Sequence, residues 1–102
     1  MNFGLQERDI TNISKALQQF PEIKEAILFG SRAMATFKAG SDIDIALKGE
    51  GISHQTLTRL NNTLQEELPI PYFFDLIDLN SITSTELLDH IKRVGITIYS
   101  NP

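Results

Sequence analysis

Cysteine is absent from this sequence, which excludes disulfides, zinc–thiolate centres and thiol nucleophiles together. Basic residues are scarce: nine Lys and Arg stand against thirteen Asp and Glu, a formal net charge of −4. The basic footprint that a phosphate backbone usually requires is therefore missing. No direct nucleic-acid contact is expected, although a nucleotide carried in with its own metal ions remains compatible. No apolar run reaches the roughly 18 to 20 residues of a membrane span. The opening residues, Met1-Asn2-Phe3-Gly4-Leu5-Gln6-Glu7-Arg8-Asp9, are polar and acidic and do not form a signal peptide. These absences lead to the expectation of a soluble cytoplasmic protein. Repeats, low-complexity tracts and linkers are also lacking. With 102 residues the chain reads as one domain, 1–102, too short for a catalytic domain plus a separate substrate domain. Whatever completes a site must be a small molecule or another chain.

What is present is enough apolar material for one core, 41% of the residues. Ile10, Ile13, Leu17 and Phe20 fall at helical spacing, and Pro21 stops that helix. Ala26-Ile27-Leu28-Phe29 reads as a buried strand closed by Gly30. Ser31 is a candidate cap for a short helix over about 32–37, broken at Ala39-Gly40. From Asp42 to Leu47 the pattern alternates, with Asp42, Asp44 and Ala46 on one side and Ile43, Ile45 and Leu47 on the other. Ser53 suits the cap of a helix carrying Leu57, Leu60 and Leu64, with Pro69 and Pro71 as its stop. A third strand is expected over Tyr72–Leu79. Thr83 with Glu86 has the form of a capping box for a last helix ended by Gly95, and Ile96–Tyr99 suits an edge strand. Strands alternating with helices predict an α/β sheet domain of two or three layers.

The chemistry concentrates between Ile27 and Leu47. Asp42 and Asp44 sit on one face of one strand, roughly 6 to 7 Å apart. Like charges so placed repel, and a divalent cation reverses the sign; Mg²⁺ takes oxygen ligands, usually one or two carboxylates plus substrate phosphates. Ten residues upstream, Gly30-Ser31 ends a strand and enters a helix. Such a turn offers backbone N–H groups, and the missing Cβ of Gly30 lets a phosphate approach. A third carboxylate would complete a two-metal site. Asp75 and Asp78 differ by three, so on a regular strand only one can join the pair. Asp75, mid-strand among apolar neighbours, is the expected member. Arg32 is read either as a phosphate contact or as a surface ion pair. Lys38, His54 and His90 are read as surface or capping residues, and Lys92-Arg93 as the favourable positive end of a helix.

Gly30-Ser31, ten residues, then Asp42-x-Asp44 resembles the signature of the nucleotidyltransferase superfamily related to DNA polymerase beta. The size and the wording "GSRA…GSDIDIAL" resemble its smallest members, the minimal nucleotidyltransferases (MNT), over roughly Ala26 to Leu79, with a weaker likeness in "LLDHIKRVGITIYS". The resemblance implies a mixed β-sheet flanked by α-helices. It implies nucleotide phosphates on Gly30 and Ser31, with Arg32 beside them still open as a phosphate contact, and Mg²⁺, in two ions, on Asp42, Asp44 and Asp75, with Asp75 also a candidate general base. It further implies an antitoxin whose partner is a helical HEPN-domain toxin, modified by AMP transfer from ATP to a tyrosine hydroxyl within a hetero-oligomer. The alternative is a non-catalytic module that neutralises a helical partner sterically.

Overall fold

The computed structural model describes residues 3–38, 40–67 and 72–101. Among the described residues, four helices and four strands alternate: α1 (Glu7–Gln18), β1 (Ile23–Phe29), α2 (Gly30–Ala33), β2 (Ile43–Gly49), α3 (His54–Glu67), β3 (Phe74–Asp78), α4 (Thr85–Val94) and β4 (Ile96–Ser100), with a 3-10 turn at Leu79–Ser81. The strands form one sheet in the order β3-β2-β1-β4. β1 runs antiparallel to both β2 and β4, while β2 and β3 are parallel and joined through α3. The expected mixed α/β architecture is therefore observed.

The sheet has two unequal faces. On one, Ile43, Ile45 and Leu47 of β2 and Leu28 of β1 pack against Ile13, Ala16 and Leu17 of α1 and Leu60 and Leu64 of α3. On the other, Phe29, Ala46 and Ile91 form a smaller cluster beneath α4. Alternation along β2 thus sends its apolar residues into the larger core and leaves Asp44 and Ala46 on the α4 side. At about 25 cal/mol per Å² of apolar surface removed from water, the larger face supplies most of the hydrophobic stabilisation.

Several local expectations need correction. The α3 cap is as expected: Ser53 Oγ accepts from Thr56 N–H at 3.1 Å, and Ser53 N–H donates to Thr56 Oγ1 at 3.3 Å, Thr56 taking the place of the usual Glu. In α4 the cap is Ser84, not Thr83; its Oγ accepts from Leu87 N–H at 3.2 Å. β1 begins at Ile23, earlier than expected, because an irregularity between Ile23 and Glu25 lets fully buried Ile23 pair with Gly49. β3 is shorter than Tyr72–Leu79. The stop at Pro69 and Pro71 lies outside the described residues.

Gly95 does close α4, but with φ −62 and ψ 141 rather than in a left-handed cap. Space explains the glycine: a Cβ there would collide with the carbonyl oxygen of Ile91 and with Cγ2 of Ile27. Gly95→Ala should therefore lower unfolding stability by about 1–3 kcal/mol, the usual cost of overpacking. Urea denaturation reads this as a lower midpoint at unchanged slope; an unaltered midpoint would contradict the close approach.

Candidate active site

Strand register gathers the acidic residues. Asp44 of β2 stands opposite Phe29 of β1 on one side and Asp75 of β3 on the other. Register partners in a sheet point to the same face, so Phe29, Asp44 and Asp75 form one row on the α4 side, with adjacent strands about 4.8 Å apart. Asp42, two residues before Asp44, lies just ahead of β2 and shares its side. Asp78 pairs with Leu47 and so belongs to the opposite face. There it caps the 3-10 turn, its carboxylate accepting from Asn80 N–H at 3.1 Å. Parity thus separates the two candidates as expected. The environment of Asp75 differs from the one expected. β3 is an edge strand and Asp75 its exposed second residue, not a buried charge among apolar neighbours.

β1 passes directly into α2, so the cap position is Phe29 and Ser31 lies inside the turn rather than capping it. α2 is a single turn, ended where Ala35 adopts φ 62, and does not reach position 37. One turn carries little macrodipole; what it presents is a set of closely spaced backbone N–H groups. Gly30 has φ +74, and a Cβ on it would collide with Oδ2 of Asp44. Glycine is thus required twice, for its conformation and for the close packing of the turn against the carboxylate.

Arg32 departs from both expectations. It is 1% exposed, so it is neither a surface ion pair nor open to a phosphate. Nε and Nη2 donate to the carbonyl oxygen of Ser41 at 3.2 and 2.8 Å, and Nη1 donates to that of Phe3 at 2.8 Å. Phe37 and Tyr72 cover the guanidinium at 5.1 and 4.6 Å. Desolvated cation–π contacts of this kind contribute about 2 kcal/mol. The left-handed Ala35 returns the chain so that Phe37 reaches this position. Arg32 therefore ties the Gly30–Ser31 turn to Ser41, the residue that precedes Asp42. "Ser-Arg" in a turn gives no signal of this role: Tyr72 is too distant in sequence to reveal it, and Phe37 comes into reach only past the left-handed Ala35.

His90 is the residue that the sequence reading missed. It belongs to α4, yet its Nε2 accepts the N–H of Gly30 at 3.2 Å, and its ring meets Phe29 edge-on at 6.2 Å. Its neighbours Leu87 and Ile91 pack on the sheet, and a helical stripe of that kind hides the one polar member aimed at a distant turn. His54 and Lys38 are exposed, as expected, and Arg93 pairs with Asp89 at 2.9 Å.

Electrostatically the row is strained. Burial, then the charges of Asp75 and Asp42, raise the Asp44 carboxyl above its ordinary value of 3.8, against the opposing positive charge of His90 when protonated and of Arg32. The donor set fits a hard divalent cation: the ligands are carboxylate oxygens of like charge, and Asp42 and Asp75 are exposed side chains free to turn inward. Among the described residues, no three His, Asp or Glu side chains already stand at the spacing of a closed metal cage. Mg²⁺ needs no such cage, because it keeps several waters and substrate oxygens. A groove of about 320 Å³ beside β3 and α3 includes Asp75, His54 and Asn61 but neither Asp42 nor Asp44, so it borders the row rather than containing it.

Comparison with known proteins agrees with this geometry. Residues 11–102 match the family described as "Polymerase beta, Nucleotidyltransferase". No match is found among curated proteins. Among solved structures, a toxin–antitoxin complex with AMP-PNP shares 29% identity at a TM-score of 0.75, over 90% of this chain and 73% of that one. The MNT antitoxin in complex with a tri-AMPylated HEPN toxin of Shewanella oneidensis shares 26% at 0.71, over 95% and 74%. The toxin–antitoxin MntA–HepT shares 26% at 0.70, over 94% and 74%. Among the described residues, no helix is long and apolar enough to cross a membrane.

The raised Asp44 has a measurable consequence. The folded chain binds its proton more tightly than the unfolded chain, so stability falls as pH rises from 3.8 through the higher folded value. Asp44→Asn removes that loss. The variant should melt above the wild type at pH 7, and the gap should close as pH falls towards 3.8. A gap independent of pH, or a lower melting temperature at pH 7, would contradict the repulsion.

Proposed function

The chain belongs to the polymerase beta nucleotidyltransferase family, and on that premise we propose that it is an MNT-type antitoxin transferring AMP from ATP to a tyrosine hydroxyl of a HEPN-domain protein. One observation carries the reading: the Gly30 turn packs directly on Asp44, and Asp44 shares its row with Asp75. A phosphate-binding turn and an acidic row meet with nothing larger than a hydrogen between them.

In this reading Gly30 and Ser31 hold the nucleotide phosphates through backbone N–H groups and the Ser31 hydroxyl. Asp42, Asp44 and Asp75 would hold Mg²⁺, whose chemistry when bound would be neutralisation of phosphate charge. The tyrosine oxygen forms a bond to the α-phosphorus, the bond to pyrophosphate breaks, and the hydroxyl proton passes to a carboxylate, for which Asp75 is the exposed candidate. Arg32 holds the turn and the Asp42 segment at a fixed separation. The partner is supported by the toxin–antitoxin neighbours and by the surface itself. Among the described residues, the exposed large apolar side chains are Phe73, at 71%, and Met34, at 45%. Phe73 lies two residues before Asp75, and Met34 follows the phosphate turn, so a protein acceptor covering the site would bury both. Positioning of the acceptor is worth up to about 7–11 kcal/mol, which a domain of this size leaves to its partner. Cytoplasmic residence follows from the ATP requirement in this reading.

Two experiments test it. In the first, the chain is incubated with Mg²⁺, ATP and a HEPN-domain partner, and the intact mass of the partner is recorded. A gain of one AMP residue per modified tyrosine is expected. An unchanged mass, with neutralisation that survives Asp42→Ala and Asp44→Ala together, would establish the steric module instead. In the second, Asp75→Ala should reduce transfer at least about 100-fold, since even outer-shell partners of a metal cost 10- to 100-fold. Asp78→Ala should retain most activity and lose only about 1 kcal/mol of stability from its cap. The reverse order would place Asp78 in the site.

A further inference from the structure

The bond between Gly30 N–H and His90 Nε2 spans 60 residues and joins α4 to the turn at 3.2 Å. We infer that His90 is a positioning residue of the nucleotide site, holding the Gly30 peptide so that the turn stays shaped for phosphate and the Asp44 carboxylate stays free for a cation. The inference rests on the nucleotidyltransferase reading of this site.

The turn needs an external brace. Gly30 is the most conformationally free residue type, and α2 is one turn long, so few helical hydrogen bonds fix it. A strong acceptor close to the turn is the wrong one. Asp44 Oδ2 lies against the α-carbon of Gly30, and an ionised carboxylate attracts an N–H more strongly than a neutral acceptor does. If Asp44 took that N–H, one of its oxygens would be committed to the backbone. Imidazole resolves the competition. Its Nε2 lone pair takes the N–H, which places the ring proton on Nδ1. The ring is itself located by Phe29, edge-on at 6.2 Å and 81°. Phe29 is also the register partner of Asp44, so His90, Gly30 and Asp44 are all referred to the same end of β1.

The test compares the full-length wild type with His90→Phe, which keeps a ring against Phe29 but has no acceptor, and His90→Gln, whose amide oxygen can accept the N–H. Two readouts are used: hydrogen exchange at the Gly30 amide in the free protein, and affinity for AMP-PNP with Mg²⁺. His90→Phe should speed exchange at Gly30 and weaken nucleotide binding about 3- to 10-fold, the loss of one neutral hydrogen bond. His90→Gln should restore both at least in part. Equal or tighter binding by a folded His90→Phe, or equal weakening in both variants with exchange at Gly30 unchanged, would overturn the inference. A wild type that binds no Mg²⁺-nucleotide would overturn the nucleotidyltransferase reading, and this inference with it. Wild-type binding matched by His90→Phe would overturn this inference alone.

Discussion

Repulsion among Asp42, Asp44 and Asp75 is the constraint around which the rest of the molecule is arranged. Left to themselves, two like charges on one sheet row, with a third two residues ahead on the same side, would separate. The β2–β3 register prevents it, because Asp44 and Asp75 are paired by backbone hydrogen bonding that their charges cannot undo. That register is in turn anchored on the opposite face, where Ile43, Ile45 and Leu47 are fully buried. A slip of one residue would send these apolar side chains to the α4 face and the carboxylates into the larger core, at prohibitive cost. The larger core therefore holds the acidic row in place without touching it. The penalty appears at Asp44, whose carboxyl is raised by burial and by its two acidic neighbours.

Two contacts complete the arrangement, one spanning nine residues and one spanning 60. Arg32 joins the turn to Ser41, and His90 joins it to α4. Both act on backbone groups rather than on the carboxylates. The Gly30 turn is thus held on one side by the segment that precedes Asp42 and on the other by the last helix. A buried guanidinium is costly unless its hydrogens and faces are satisfied. Here two carbonyl oxygens and two rings do so.

Much of this was legible in the sequence because it depends on short periods. Alternation from Asp42 to Leu47 gave the strand and its two faces, and the three-residue spacing of Asp75 and Asp78 put them on opposite faces. The Ser53 cap and the alternating element order followed from local rules. What escaped has one cause, distance along the chain. Gly30 and His90 are 60 residues apart, and Arg32 and Tyr72 are 40 apart; nothing local predicts that they meet. A buried Arg with stacked rings and an exposed Arg on phosphate read alike in "GSRA". Asp75 was chosen correctly for its face but for the wrong environment, since edge and central strands cannot be told apart in a five-residue segment. The cap expected at Thr83 and observed at Ser84 shows a limit at short range: adjacent hydroxyl residues both fit a cap, and the backbone decides.

The central claim is that the acidic row is a cation site completed by a nucleotide on the Gly30 turn. Mn²⁺, a paramagnetic substitute for Mg²⁺, tests it most directly when titrated into the protein with and without AMP-PNP and followed by electron paramagnetic resonance. The account predicts weak Mn²⁺ binding alone, stronger binding with the nucleotide, and loss of the protein-dependent part in Asp44→Asn. Binding of equal strength in wild type and Asp44→Asn, or none beyond that of free Mn²⁺–nucleotide, would contradict it.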